Sequence, residues 1–194
     1  MATHNVNLGI GNAQDSGATG MFYHAPKNTA LPSAASEAPG SSWEEVGAVS
    51  YDGISFNSNR TFNPLKNWAN EIARTLPAEN PGTVAVPIID TTEESLKTVF
   101  GAENVTVAAA TTTHGKQIKV EMTSDSMPKP EAYLFIMKDG DDMIMLGTTE
   151  GNITELAEVA FQPNGAITWS PTISASKWVL MKDDGQVTGA TGAS

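Results

Sequence analysis

Apolar residues along this chain fall mostly into a period of two. Val84, Val86 and Ile88 alternate with Thr83, Ala85 and Pro87. Ile118, Val120 and Met122 alternate with Lys119, Glu121 and Thr123, and Ala157, Val159 and Phe161 with Glu158, Ala160 and Gln162. Ile167, Trp169 and Ile173 alternate with Thr168, Ser170, Thr172 and Ser174. Alternation puts each apolar set on one face of a half-buried strand. Leu134–Met137 and Met143–Leu146 are apolar runs on either side of Lys138-Asp139-Gly140-Asp141-Asp142, a hairpin signal in which Gly140 supplies the positive φ such a turn needs. Met21–His24 reads as a further short strand.

One segment follows the helical period. Thr91 with Glu94 three residues on predicts a capping box, Leu96, Val99 and Phe100 share one face, and Gly101 stands where a left-handed C-terminal cap belongs. The predicted helix covers about 92–100, and its apolar stripe needs a sheet to lie on. Pro64–Leu76 is open to two readings: Leu65, Trp68, Ile72 and Leu76 suit a helix, whereas Ile72, Arg74 and Leu76 suit a strand. The pattern predicts a mainly β chain, an antiparallel sandwich or barrel with one short α-helix and two extended arms. Residues 1–42 form the N-terminal arm with its short strand, 43–176 the β-sandwich, and 177–194 the C-terminal arm. The arms are assigned because 1–42 is rich in Gly, Ala, Ser, Asn, Thr and Pro and too poor in apolar area to fold alone.

Composition narrows the function. The 194 residues carry a formal net charge of −11, which argues against gripping nucleic acid through basic patches and suits a surface that DNA passes without sticking. With no cysteine there is no disulfide framework, thiol nucleophile or cysteine-zinc cluster. No basic region followed by an apolar run opens the chain and no apolar stretch is long enough for a bilayer, so the expectation is a soluble protein made in the cytoplasm. Gly9-Ile10-Gly11 lacks the third glycine of a nucleotide loop, Gly115-Lys116 is followed by Gln117 where a phosphate loop needs Ser or Thr, and no nucleophile elbow occurs. His4, His24 and His114 have no carboxylate at helical ligand spacing, so no metal site is expected, and Asp139, Asp141 and Asp142 lack the calcium-loop pattern. Trp43, Trp68, Trp169 and Trp178 would serve a sugar platform only if a pair of them were exposed. Neither catalysis nor a cofactor is expected.

The order of segments resembles a known family. Tyr23-His24-Ala25-Pro26-Lys27-Asn28-Thr29-Ala30-Leu31-Pro32 is similar to an apolar–Ala-Pro-x-Gly-Thr-x-x-Pro opening, with Asn28 in place of Gly. Trp43-Glu44-Glu45-Val46-Gly47-Ala48-Val49-Ser50-Tyr51-Asp52-Gly53-Ile54 follows, then Trp68 with Ile72-Ala73-Arg74-Thr75. Glu94–Gly101 with Asn104-Val105-Thr106 looks like a helix–strand connection, and Asn152–Phe161 like a closing strand. Together, from about Gly20 to Ser176, these resemble the major tail tube proteins of long-tailed bacteriophages, the siphoviruses, especially those of actinobacteria.

The resemblance implies a tail-tube fold, with a strand at Ile72–Leu76. It implies a virion structural protein, assembled in the host bacterial cytoplasm, whose hexameric rings stack into the hollow, non-contractile tail that conducts phage DNA into the host. Its partners would be other copies of itself, the tape measure protein, the tail terminator, distal tail and baseplate proteins, and double-stranded DNA in transit, with no membrane insertion. Residues 1–20 and 177–194 are expected to make contacts between rings. Glu103, Glu121, Asp139, Asp141, Asp142, Glu155 and Glu158 are the candidate acidic lining of the lumen. The alternative functions are another virion β protein, for capsid decoration or tail completion, and a carbohydrate-binding attachment module.

Overall fold

The computed structural model describes residues 22–50, 52–58, 62–77, 82–123, 127–139, 141–161 and 165–185. Its strands are β1 (Phe22–Pro26), β2 (Glu44–Gly47), β3 (Ser55–Ser58), β4 (Phe62–Lys66), β5 (Ile72–Pro77), β6 (Gly82–Ala85), β7 (Val105–Ala108), β8 (Gln117–Val120), β9 (Glu131–Asp139), β10 (Asp142–Leu156), β11 (Pro171–Ala175) and β12 (Val179–Asp183). The helix α1 spans Glu93–Phe100, and a single 3-10 turn follows at Ala102–Asn104. Every strand pairing is antiparallel. The chain is mainly β with one helix, as its periodicity predicts.

The long strand β10 organises the fold. Its first half lies between β9 and β12, extending to β1 and β2, and its second half pairs with β11, extending to β6 and β3. Register shifts between Thr148 and Gly151, and between Ile153 and Glu155, mark the change of partner. A Cβ on Gly151 would lie 2.9 Å from both Ile173 Cγ2 and Tyr133 Cδ2, so the crossing needs a residue without a side chain there. The two sheet halves bury Phe22, Tyr133 and Phe135 with Val84, Ile88, Ile153 and Ile173, and α1 closes the cluster with Leu96 and Val99. The Phe22 and Phe135 rings stack at 4.7 Å. Burying one such ring is worth about 1.5–3 kcal/mol.

β9 is apolar on both faces, from Ala132 to Met137, so its outer face also needs a cover. Residues 29–43 provide it: Leu31, Ala35 and Trp43 pack on Ala25, Ala132, Leu134 and Met145. This corrects the N-terminal arm, because within the described residues 22–42 belong to the body, with β1 between β2 and β9. Asn28 turns at φ 68°, which explains why Asn can replace Gly there. The C-terminal arm is corrected too. Val179–Asp183 is a sheet strand, in register with Met143–Gly147, and Trp178 donates to the Gly82 carbonyl at 2.8 Å. A five-residue strand beside a polar tail is too short for periodicity to reveal. Residues 1–21 and 186–194 lie outside the described residues, as does Gly140.

Two boundaries shift for identifiable reasons. The helix is capped by Thr92 with Ser95, one residue later than predicted, because Thr91 Oγ1 instead accepts from the Trp169 indole at 3.0 Å. Gly101 has a positive φ of 89° but an extended ψ of 136°, outside the left-handed helical well. The expected strand at Ala157–Phe161 does not form. Its neighbour β11 starts at Pro171, opposite Leu156, and Pro has no N–H to extend the ladder. Beyond it, Ala157 N–H reaches the Ser170 carbonyl at 3.1 Å, and Phe161 is exposed.

Candidate functional site

The seven acidic candidates occupy three separate places. Glu103 and Glu121 come together beside the β7–β8 ribbon, where Glu121 N–H donates to the Asn104 carbonyl at 2.9 Å. Lys129 lies 3.6 Å from Glu103, and Lys119 lies 2.6 Å from Glu121 and holds its carboxyl below the usual carboxylate range. Asp139, Asp141 and Asp142 sit at the β9–β10 turn, where Asp142 pairs with Lys182 at 3.0 Å. Asp183 joins them through β12, its carboxyl held low by the Ser36 hydroxyl. Glu155 is exposed near the far end of β10 and Glu158 is exposed beyond it. A straight strand would separate Asp142 from Glu155 by about 40 Å. A single subunit therefore gathers no acidic cleft from these residues, and any common surface they form belongs to an assembly.

One exposed apolar feature lies in the segment whose periodicity alone was ambiguous, where β5 matches the strand that the resemblance implies at Ile72–Leu76. Among the described residues β4 and β5 pair only with each other. Residues 64–74 are all exposed, with Leu65 56 % and Ile72 63 % accessible and Trp68, at the tip, fully so. The tip is rigidly built. Asn70 takes φ 62°, Asn70 N–H donates to the Asn67 carbonyl, Glu71 N–H donates to Asn67 Oδ1, and Lys66 Nζ donates to Asn70 Oδ1. A two-stranded hairpin is marginal in water without a surface to cover its apolar side. A well-ordered turn holding an indole in solvent is the geometry of an interface anchor. The signal available in the sequence was Trp68 between Asn67 and Asn70, two turn-forming residues.

A second apolar feature lies between the open edges of the two sheet halves. Phe56 of β3, Met137 of β9, Leu146 of β10, Leu180 of β12 and Trp178 line a groove of about 540 Å³. Phe56 and Leu180 are largely exposed. Of the four tryptophans, Trp43 and Trp169 are buried, Trp178 is packed against Phe56 and Phe135, and Trp68 alone is exposed. The exposed pair required by a sugar platform is thus missing. No helix among the described residues is long and apolar enough to cross a membrane.

Comparison with known proteins gives one family. A family model described as phage tail tube protein matches residues 11–175. Among solved structures, the chain is similar to the tube-terminating cap of the anti-feeding prophage, seen by cryo-electron microscopy, at 9 % identity and a TM-score of 0.45, covering 94 % of this chain and 100 % of that one. No curated protein matches.

Proposed function

Because this chain belongs to a phage tail tube protein family, and so is a structural component of the virion tail, we propose that six copies close into a ring and that the rings stack into the hollow tube through which phage DNA enters the host. The role is structural rather than catalytic. The observation that carries the reading is the β4–β5 hairpin, whose apolar tip finds no partner among the described residues of its own subunit. The open edges β2, β3 and β12 add backbone groups ready to pair with neighbouring copies. A hairpin that docks on a different surface of the next copy makes a head-to-tail contact, and such contacts close into rings or grow into filaments.

The acidic composition supports a lumen that repels DNA. Duplex DNA carries one charge per about 1.7 Å of axis, so a basic lining would hold it. In this proposal Glu103, Glu121, Asp139, Asp141, Asp142, Glu155 and Glu158 supply carboxylates to the channel wall. The tail is of the flexible, non-contractile siphovirus type, and the tube meets a tape measure protein inside, a terminator at one end and distal tail or baseplate proteins at the other. Residues 1–20 contribute contacts between rings, whereas Val179–Asp183 cannot serve as a free arm because they build β12. Electron microscopy of the purified, concentrated protein tests the reading. Six-fold rings or stacked tubes are expected. Trimers, single unstacked rings or a persistent monomer would overturn it, the first two in favour of a capsid-decoration or tail-completion protein.

A further inference from the structure

His24, at the middle of β1, faces three carboxylates from three other elements. Its Nδ1 lies 2.9 Å from Glu131 Oε2 of β9. Its Nε2 lies 3.9 Å from Glu44 Oε2 of β2 and 3.9 Å from Glu94 Oε2 of α1. The ligand atoms of His24, Glu44 and Glu94 all fall within 4.8 Å of one another. The imidazole side chain is 12 % exposed, and its Nε2 is shut off from solvent and makes no hydrogen bond among the described residues. A buried ring nitrogen without a partner is costly, and more so beside two carboxylates.

The arrangement has a consistent chemistry. A carboxylate on Nδ1 fixes the proton there and leaves the Nε2 lone pair directed at Glu44 and Glu94. Protein metal sites use this relay, a carboxylate orienting a histidine whose other nitrogen binds the ion. Ligands of a tetrahedral zinc ion stand about 3.4 Å apart, so each carboxylate moves about half an ångström towards Nε2 from 3.9 Å, and any wider spacing between the two carboxylates, up to the 4.8 Å bound of the set, closes as well. Glu44, with a side chain 64 % exposed, is free to make that movement. Lys97 offsets part of the local negative charge by pairing with Glu94 at 3.0 Å, but it also serves Glu93 at 2.7 Å. A cavity of about 310 Å³ is lined by His24, Glu44 and Glu131 together with Lys27 and Lys129, and Glu94 lies outside its lining.

We propose that His24, Glu44 and Glu94 bind a divalent transition-metal ion, Zn²⁺ by preference, with Glu131 as the positioning residue for the imidazole. One nitrogen and two carboxylate oxygens favour zinc over the all-oxygen cations Mg²⁺ and Ca²⁺. The ion joins β1, β2 and α1, so its role is to fasten the helix to the sheet.

Calorimetric titration of the full chain with ZnCl₂, after treatment with EDTA and removal of the chelator, tests this. One ion per chain is expected, with a Tm raised by roughly 5–10 °C at a hundred-fold excess over Kd. Glu44→Gln with Glu94→Gln should weaken binding at least ten-fold while leaving the Tm in EDTA within about 2 °C of wild type. Glu131→Gln should weaken it about 10–100-fold. Should the double variant fail to fold, Glu44→Gln alone carries the test, since that side chain is mostly in solvent. Absence of saturable binding, or binding unchanged in the Glu44 variant, would overturn the proposal. The first result would leave the cluster a structural contact without an ion, and the second would send the ion elsewhere.

Discussion

Two hairpins in this molecule share a local grammar and have opposite surroundings. In β9–β10, Leu134, Phe135 and Met145 are at most 1 % exposed. In β4–β5, Leu65 and Ile72 are more than half exposed and Trp68 wholly so. Both are antiparallel pairs with apolar residues on either side of a turn. The difference lies in their neighbours. β9–β10 has β1 on one side, β12 and β11 on the other, the core below and the Leu31–Trp43 segment above. Among the described residues β4–β5 has only itself. A hairpin specifies its own turn and register, whereas its burial is supplied from outside. The first hairpin makes the subunit, and in the proposed assembly another copy covers the second.

The contrast predicts a graded series. Phe135→Ala should show the largest effect on folding, a loss of about 3–5 kcal/mol in urea denaturation, because its ring is stacked on Phe22 with no room to relax. Tyr133→Phe should go the other way. The Tyr133 hydroxyl is buried with no hydrogen-bond partner among the described residues, so removing it should raise stability by about 1–3 kcal/mol. Burial pushes the Tyr133 phenol well above its usual range. A raised phenol contributes stability below the unfolded value near 10 and loses it as pH rises further, because only the unfolded chain then ionises freely. The wild type should therefore lose part of its Tm above about pH 10, and the Phe variant should lose less.

A smaller effect is expected on acidification. Lys116 at 2.6 Å and Lys97 at 2.7 Å hold the Glu93 carboxyl down to about 2. A depressed carboxyl contributes stability above its unfolded value near 4.5 and loses it as pH falls towards 2. Melting curves over that range should show a decrement in the wild type that Lys116→Met reduces. Smallest of all should be Trp68→Ala, within about 0.5 kcal/mol of wild type, since the indole is fully exposed among the described residues.

The sequence disclosed most where patterning and burial coincide. The runs Leu134–Met137 and Met143–Leu146 marked the middle of β9 and the start of β10, though not the continuation of β10 to Leu156, and Leu96 with Val99 marked the buried stripe of α1. The segment Ala157–Phe161 misled because alternation describes a chain able to pair, and Pro171 removes the partner. The register of the helix cap was undecidable among Thr91, Thr92, Glu94 and Ser95 until the Trp169 indole claimed Thr91. The His24 cluster was beyond reach, since its carboxylates lie 20, 70 and 107 positions away and only the β2–β1–β9 order with α1 across it brings them together. The acidic candidates were identifiable as charges, but the surface they would share is not contained in one subunit.

The central claim is that the exposed hairpin joins copies of this chain and does nothing for the fold of one. Trp68→Ala compared with wild type by melting and by electron microscopy at equal, high concentration tests it most directly. The account predicts superimposable melting of the dissociated subunits, tubes from the wild type and few or none from the variant. Tubes of equal length and abundance from both proteins would contradict it.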